Sequence, residues 1–282
     1  MRTIIARNAH QALAESCFQL HHFGVTDEGG GKVLPIPTST LITNTNERVA
    51  FYSGLNPFDA LLGAARNIAE VRTECMVGAG KALKSRPDAR VTMTGEQCDP
   101  LGVIFAQVDL DGKLQLMGCS SETNVLHEAD DLVYLSMVQA YIAHASGREA
   151  GVLWHTSMSP SCDVRQLDLL SEVAGHAPQP PAQFEDPYST GSMTDTIPLL
   201  SIPAGRWFRE LVQFFVSEAY DSVEYVDPFI QHVLAPAHRA RRLHEEGAPL
   251  ASVQRAIGEI AAQDWMQACL QYVNASTKSE IS

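Results

Sequence analysis

The side chains with the most chemical reach are six cysteines, at positions 17, 75, 98, 119, 162 and 269, the histidines His127 and His155, and the acidic pair Asp130-Asp131. The cysteines include no C-x-x-C pair, so their spacing points to neither a zinc knuckle nor a redox motif. Free thiols in a reducing cytosol are the expectation, and no metal site is expected. His127 and His155 read first as histidines satisfied within a fold rather than as acid–base groups. Asp130 or Asp131 stands where it would cap the apolar helix that follows. Gly29-Gly30-Gly31 lacks both the Lys-Ser/Thr ending and the following helix of a phosphate loop, and reads as a turn. Arg239, Arg241 and Arg242 lie in a helical pattern beside Glu245 and Glu246, a solvated face.

The elements that must position these groups follow from periodicity. The segment Ile4 to Phe23 carries apolar residues at Ala9, Ala12, Leu13, Cys17, Leu20 and Phe23, an entry helix ending at Gly24. Val33 to Ile42 suits strands or extended chain. Asn56-Pro57 opens a second helix, with Leu61, Ala64, Ala65 and Ile68 on one face. Val103 to Cys119 reads as two antiparallel strands turned at Asp111-Gly112. Leu132 to Ala145 is apolar almost all round, which requires a helix buried in the middle of a domain. Residues 1–178 form the expected core and the Pro-rich stretch 179–205 a linker. Residues 206–282 read as a tail of three helices: Arg206 to Tyr220, Phe229 to Glu246, and Leu250 to about Asn274.

The formal net charge of −13 argues against coating a nucleic acid, since a polyanion would be repelled at long range. The first 17 residues lack the basic start and apolar run of an export signal, and no apolar run reaches the roughly 20 residues of a membrane span. A cytoplasmic protein is expected.

Several segments together resemble the thymidylate synthase superfamily, in particular its phage branch, which includes deoxycytidylate hydroxymethylases. These are Asn56-Pro57-Phe58-Asp59-Ala60-Leu61-Leu62, Asp111-Gly112-Lys113-Leu114, Asp130-Asp131-Leu132-Val133 with Met137 to Ala143, and Gly151-Val152-Leu153-Trp154-His155-Thr156-Ser157. The ends, Arg7 to Leu13 and Asp264 to Cys269, are similar too. The resemblance implies an α+β fold: a mixed sheet with a central buried helix and, here, a helical tail. It also implies a cysteine thiolate adding to C6 of dCMP or dUMP, methylenetetrahydrofolate supplying a carbon to C5, and a dimer formed through a sheet face. Cys98 is the residue nearest the nucleophile's place, although Asp99 beside it would raise a thiol pKa. Asp131 falls at the base-reading position, where a carboxyl favours cytosine. Ser120-Ser121 stand where the family has a phosphate-binding Arg-Ser pair. Ser161 and Asp163 replace the ribose-binding His and Tyr, and no glutamate stands near Gly63. His155 is a further candidate substrate contact. Val103, Phe105, Leu114 and Leu116 are the apolar residues expected at the dimer face. The alternative is a catalytically degenerate paralogue that binds a nucleotide or pairs with an active relative.

Overall fold

The computed structural model describes residues 1–281 apart from 53, 71–72, 95–100, 178–198 and 217–222. The chain opens with β1 (Arg2–Ala6), α1 (Ala9–Phe23), β2 (Val25–Thr26), β3 (Lys32–Val33) and β4 (Thr38–Ile42). Helices α2 (Pro57–Glu70) and α3 (Thr73–Ser85) follow, then β5 (Arg90–Thr94), β6 (Val103–Val108), β7 (Leu114–Ser120) and β8 (Thr123–Asn124). Next come α4 (Glu128–Ser146), β9 (Ala150–Ser157), β10 (Pro160–Cys162) and α5 (Leu167–Ala174). The tail holds α6 (Ala204–Val216), α7 (Ala235–Glu245), α8 (Leu250–Ile257) and α9 (Gln263–Ile281).

The fold is mixed α+β. Six strands form a sheet in the order β1-β4-β9-β7-β6-β5, in which β1 and β4 are parallel, as are β7 and β9, and the other pairs are antiparallel. A smaller sheet runs β2-β3-β10-β8. The β6–β7 hairpin forms as its turn chemistry dictates: Gly112 has φ +79°, and Asp109 Oδ1 accepts from the amides of Asp111 and Lys113 at 3.0 and 2.8 Å. Parallel β7 and β9 require a crossover, and α4 supplies it. That helix lies on the inner face of the sheet, and Gly118 of β7 permits its close approach. A Cβ there would come within 2.7 Å of Leu135 and 2.8 Å of Leu101. Fully buried Gln139 fastens α4 to both strands, its Nε2 donating to the carbonyls of Leu114, Gly151 and Val152 at 2.9, 3.2 and 3.1 Å. The pairing of β7 with β9 shifts register at this place, between Leu114 and Leu116, and the amide takes up carbonyls there.

Three expectations need correction. The helical segment read from Ile4 begins only at Ala9, where Asn8 caps α1 by accepting from the Gln11 amide. Ile4 to Ala6 instead pair with Thr40 to Ile42, with the alternating burial of an edge strand. The single tail helix from Leu250 to Asn274 is two, interrupted between Ile257 and Gln263. Pro236 has a part in that break. Lacking an N–H, it leaves the His232 carbonyl without its usual helical donor, the preceding turn Ile230–Leu234 widens into a π-helix, and the Ala261 amide of the break donates to His232 O at 2.9 Å. The apolar stripe runs through the break because α8 and α9 face the same core.

The third correction concerns the proposed dimer face. Val108 pairs with Leu114 and Ala106 with Leu116, so Leu114 and Leu116 point inward under α4 and are buried. Phe105 pairs instead with Met117, and these two remain 38% and 36% exposed on the outer face. One cross-strand row, Ile5, Leu41, Trp154, Met117 and Phe105, runs over five strands of that face. Its first member, Ile5, is 68% exposed.

The tail helices do not form a core of their own. Trp207, Leu211, Phe214, Val233, Ile257 and Trp265 belong to the same apolar cluster as Leu61, Leu135 and Tyr141. A second cluster lies between α1, α5 and the small sheet, around Leu13, Leu20, Leu34 and Leu170. Among the described residues no helix is long and apolar enough to cross a membrane.

Candidate functional site

The first turn of α4 carries Glu128, Asp130 and Asp131, and the positive end of the helix favours acids there. Glu128 and Asp131, three residues apart, share the face turned to the sheet. His155 of β9 meets them from the inner face, beside its register partner Thr40. Its Nδ1 lies 3.2 Å from Glu128 Oε1, and its Nε2 lies 3.4 Å from Asp131 Oδ2 without hydrogen-bond geometry. The Thr40 hydroxyl donates to the same Glu128 oxygen at 2.8 Å. Glu128 and His155 are buried and Asp131 nearly so.

The electrostatics follow from this placement. Burial lowers the His155 pKa, but the hydrogen bond with Glu128 and the charges of Glu128 and Asp131 outweigh it, so the net shift is upward. Asp131 rises to about 6 through burial, with Glu128 and Asp130 adding to the rise and His155 and His127 opposing it. The cluster is an imidazole bracketed by two carboxyl groups. Both ring nitrogens face acids from opposite sides, and among the described residues no three His, Cys, Asp or Glu side chains are placed to hold a metal ion.

Of the residues singled out in the sequence, Asp131 and His155 are thus brought together. Ser120 ends β7 on the same inner face, bonded to the Thr123 hydroxyl and paired across the sheet with Ser157. Ser121 is exposed beyond it, and Cys98 lies outside the described residues. Neither Asp130 nor Asp131 is the N-cap of α4; that position is His127, which makes no side-chain capping bond. Four of the described cysteines are poor nucleophiles. Burial pushes up the thiols of Cys17, Cys119, Cys162 and Cys269, with Cys162 reaching about 11.

A cleft of about 180 Å³ opens on the other side of the α4 start, between that turn, the start of α2, the 48–56 segment, α5 and α9. Its floor is apolar, with Ala60, Ala129, Val133 and Trp265 all buried. Its rim is polar: Arg48, Asn56, Asp59, His127, Asp130 and Gln166. Asp130, not Asp131, faces this cleft. His127 Nδ1 lies 3.0 Å from Asp130 Oδ2, and that hydrogen bond is the main cause of its raised pKa. Asp59 is held by Asn56 Nδ2 at 2.8 Å and by Arg241 at 2.9 Å. An apolar floor under a few fixed polar groups suits a small organic ligand.

Sequence reasoning missed Glu128, Arg48, Gln166 and the place of Trp265. Glu128 carried a signal, an acid on the same helical face as Asp131, whereas the others meet only through the tertiary fold. The chain matches no family model, and no curated protein is similar enough to count as a relative.

Proposed function

We propose that this chain is a catalytically degenerate, thymidylate synthase-like subunit that pairs with a second copy and binds a small ligand, a pyrimidine nucleotide in the first instance, in the cleft at the starts of α2 and α4. The observation that carries the loss of catalysis is the filling of the inner site. Ser120, bonded to the Thr123 hydroxyl, stands where the resemblance implies arginine, and Asp131, at the implied base-reading position, is turned into a closed cluster with His155 and Glu128. An anion there would meet net negative charge instead of a guanidinium fork. The row Ile5, Leu41, Trp154, Met117 and Phe105 supports pairing. A second copy presents the same uncharged centre, with the charge of Arg90 out on edge strand β5, so association would bury no unpaired ion.

Sedimentation equilibrium at micromolar concentration tests the pairing. The wild type is expected at twice the chain mass, and the double variant Phe105→Glu, Met117→Glu as a folded monomer. A monomeric wild type would remove the outer face from the argument. Calorimetric titration with dCMP and dUMP, followed by a C5 tritium-release assay with methylenetetrahydrofolate, tests ligand and catalysis separately. Weak binding without release is the expected outcome. Release abolished by Cys98→Ser would establish the enzymatic reading with Cys98 as nucleophile.

A further inference from the structure

Ser16 of α1, Thr38 of β4, Ser157 of β9 and Glu128 of α4 converge on a small internal cavity closed by Leu34, Thr123, Val125 and Pro160. The sheet dictates part of this: Thr38 and Ser157 are register partners, so both side chains leave the same face. All three hydroxyl residues are at least nine-tenths buried. Among the described residues the oxygens of Ser16, Thr38 and Ser157 have no hydrogen-bond partner. Three buried hydroxyls facing one cavity is an unfavourable arrangement unless something in the cavity answers them.

We propose that the cavity is a built site for one water molecule, which binds the three hydroxyls and the Glu128 carboxylate together. Size and bonding capacity both select this ligand. The space open to a water-sized particle is about 10 Å³, room for one. A water accepts two hydrogen bonds and donates two, so it can take two hydroxyl donors and give to the third hydroxyl and to Glu128. A sodium or potassium ion would use the oxygen lone pairs but offer no acceptor to any of the three hydroxyl hydrogens, where water accepts two of them. The water completes the shell of a carboxylate whose Oε1 is taken by Thr40 and His155. It thereby adds a hydrogen bond to the carboxylate whose bond and charge push the His155 pKa upward. Asp131, across the imidazole and outside the cavity, lacks this donor.

The test is a crystal structure of the full chain at about 1.5 Å resolution, grown with potassium present, and a second data set after a thallium soak. One density peak about 3 Å from the four oxygens, with no anomalous signal from thallium, is expected. A thallium peak in the cavity would replace water with a monovalent cation and overturn the proposal. A cavity without density, its hydroxyls turned to protein acceptors, would overturn it too. In solution, the variant Thr38→Val, Ser157→Ala should move the His155 titration, read from its imidazole nitrogen shifts, to lower pH. An unchanged titration in a folded variant would break the link between the water and Glu128. If that variant does not fold, the wild-type density decides.

Discussion

Replacing Asp131 by Asn should make this protein more stable at neutral pH, although it removes one member of an apparent ion pair. The Asp131 pKa rises from 3.8 to about 6, a change of about two units. Each unit corresponds to about 1.4 kcal/mol. The sign follows from which state holds the proton. Below pH 3.8 the carboxyl is protonated in both states and contributes nothing. Between 3.8 and about 6 the folded chain keeps a proton that the unfolded chain has lost, so stability falls as pH rises. Above about 6 the buried carboxylate is a constant burden of about 2–3 kcal/mol, because burial strips it of water and His155 offsets only part of that loss. The amide of the variant cannot ionise and escapes that burden. Urea unfolding of wild type and Asp131→Asn at pH 4, 6 and 8 should therefore give curves that coincide at pH 4 and separate by about 2–3 kcal/mol at pH 8, with the variant above. A variant less stable than wild type at pH 8 would mean that His155 holds the Asp131 carboxylate favourably. That would refute the account of the cluster.

Removing the imidazole should do the opposite: His155→Gln takes from buried Glu128 the ring nitrogen bonded to its Oε1, and a loss of about 1–3 kcal/mol is expected in the same assay, larger at pH 6 than at pH 8, because a raised imidazole pKa stabilises the folded chain most at low pH and less as pH rises. Gly118→Val would push a side chain into Leu135 and Leu101, and a loss of about 1–3 kcal/mol should appear as a lower urea midpoint. Cys17 and Cys269, fully buried with raised pKa, should resist an aromatic disulfide reagent at pH 8 in the native state and react only on unfolding; prompt native labelling of either, located by peptide mapping, would contradict the packing of α1 and α9.

The hairpin and the buried helix were legible because their signals are local. Asp111-Gly112 names its own turn, and the unbroken apolar run from Leu132 to Ala145 admits one kind of placement. The outer face was only half legible. Strand parity fixes Phe105 with Val103 and Leu114 with Leu116, but which pair shares a face depends on the register across the turn, and Val108 opposite Leu114 decides it. The end of the entry helix was plain at Gly24, whereas its start was blurred by the isoleucines of β1. The candidate site was least legible. His155 meets Glu128 and Asp131 only because the chain crosses over from β7 to β9, and the cleft joins residue 48 to residue 265, partners that no periodicity connects.

Gln139 carries a consequence for the order of assembly. Its amide has its full set of acceptors only when β7, the crossover helix and β9 are all in place, since its three carbonyl partners come from both strands. Partial docking leaves this buried amide short of acceptors, so intermediates in which α4 has settled on one strand are disfavoured. The β7–α4–β9 segment should accordingly open and close as a single cooperative unit, and its backbone amides should exchange with solvent at one shared rate, slower than those of the small sheet.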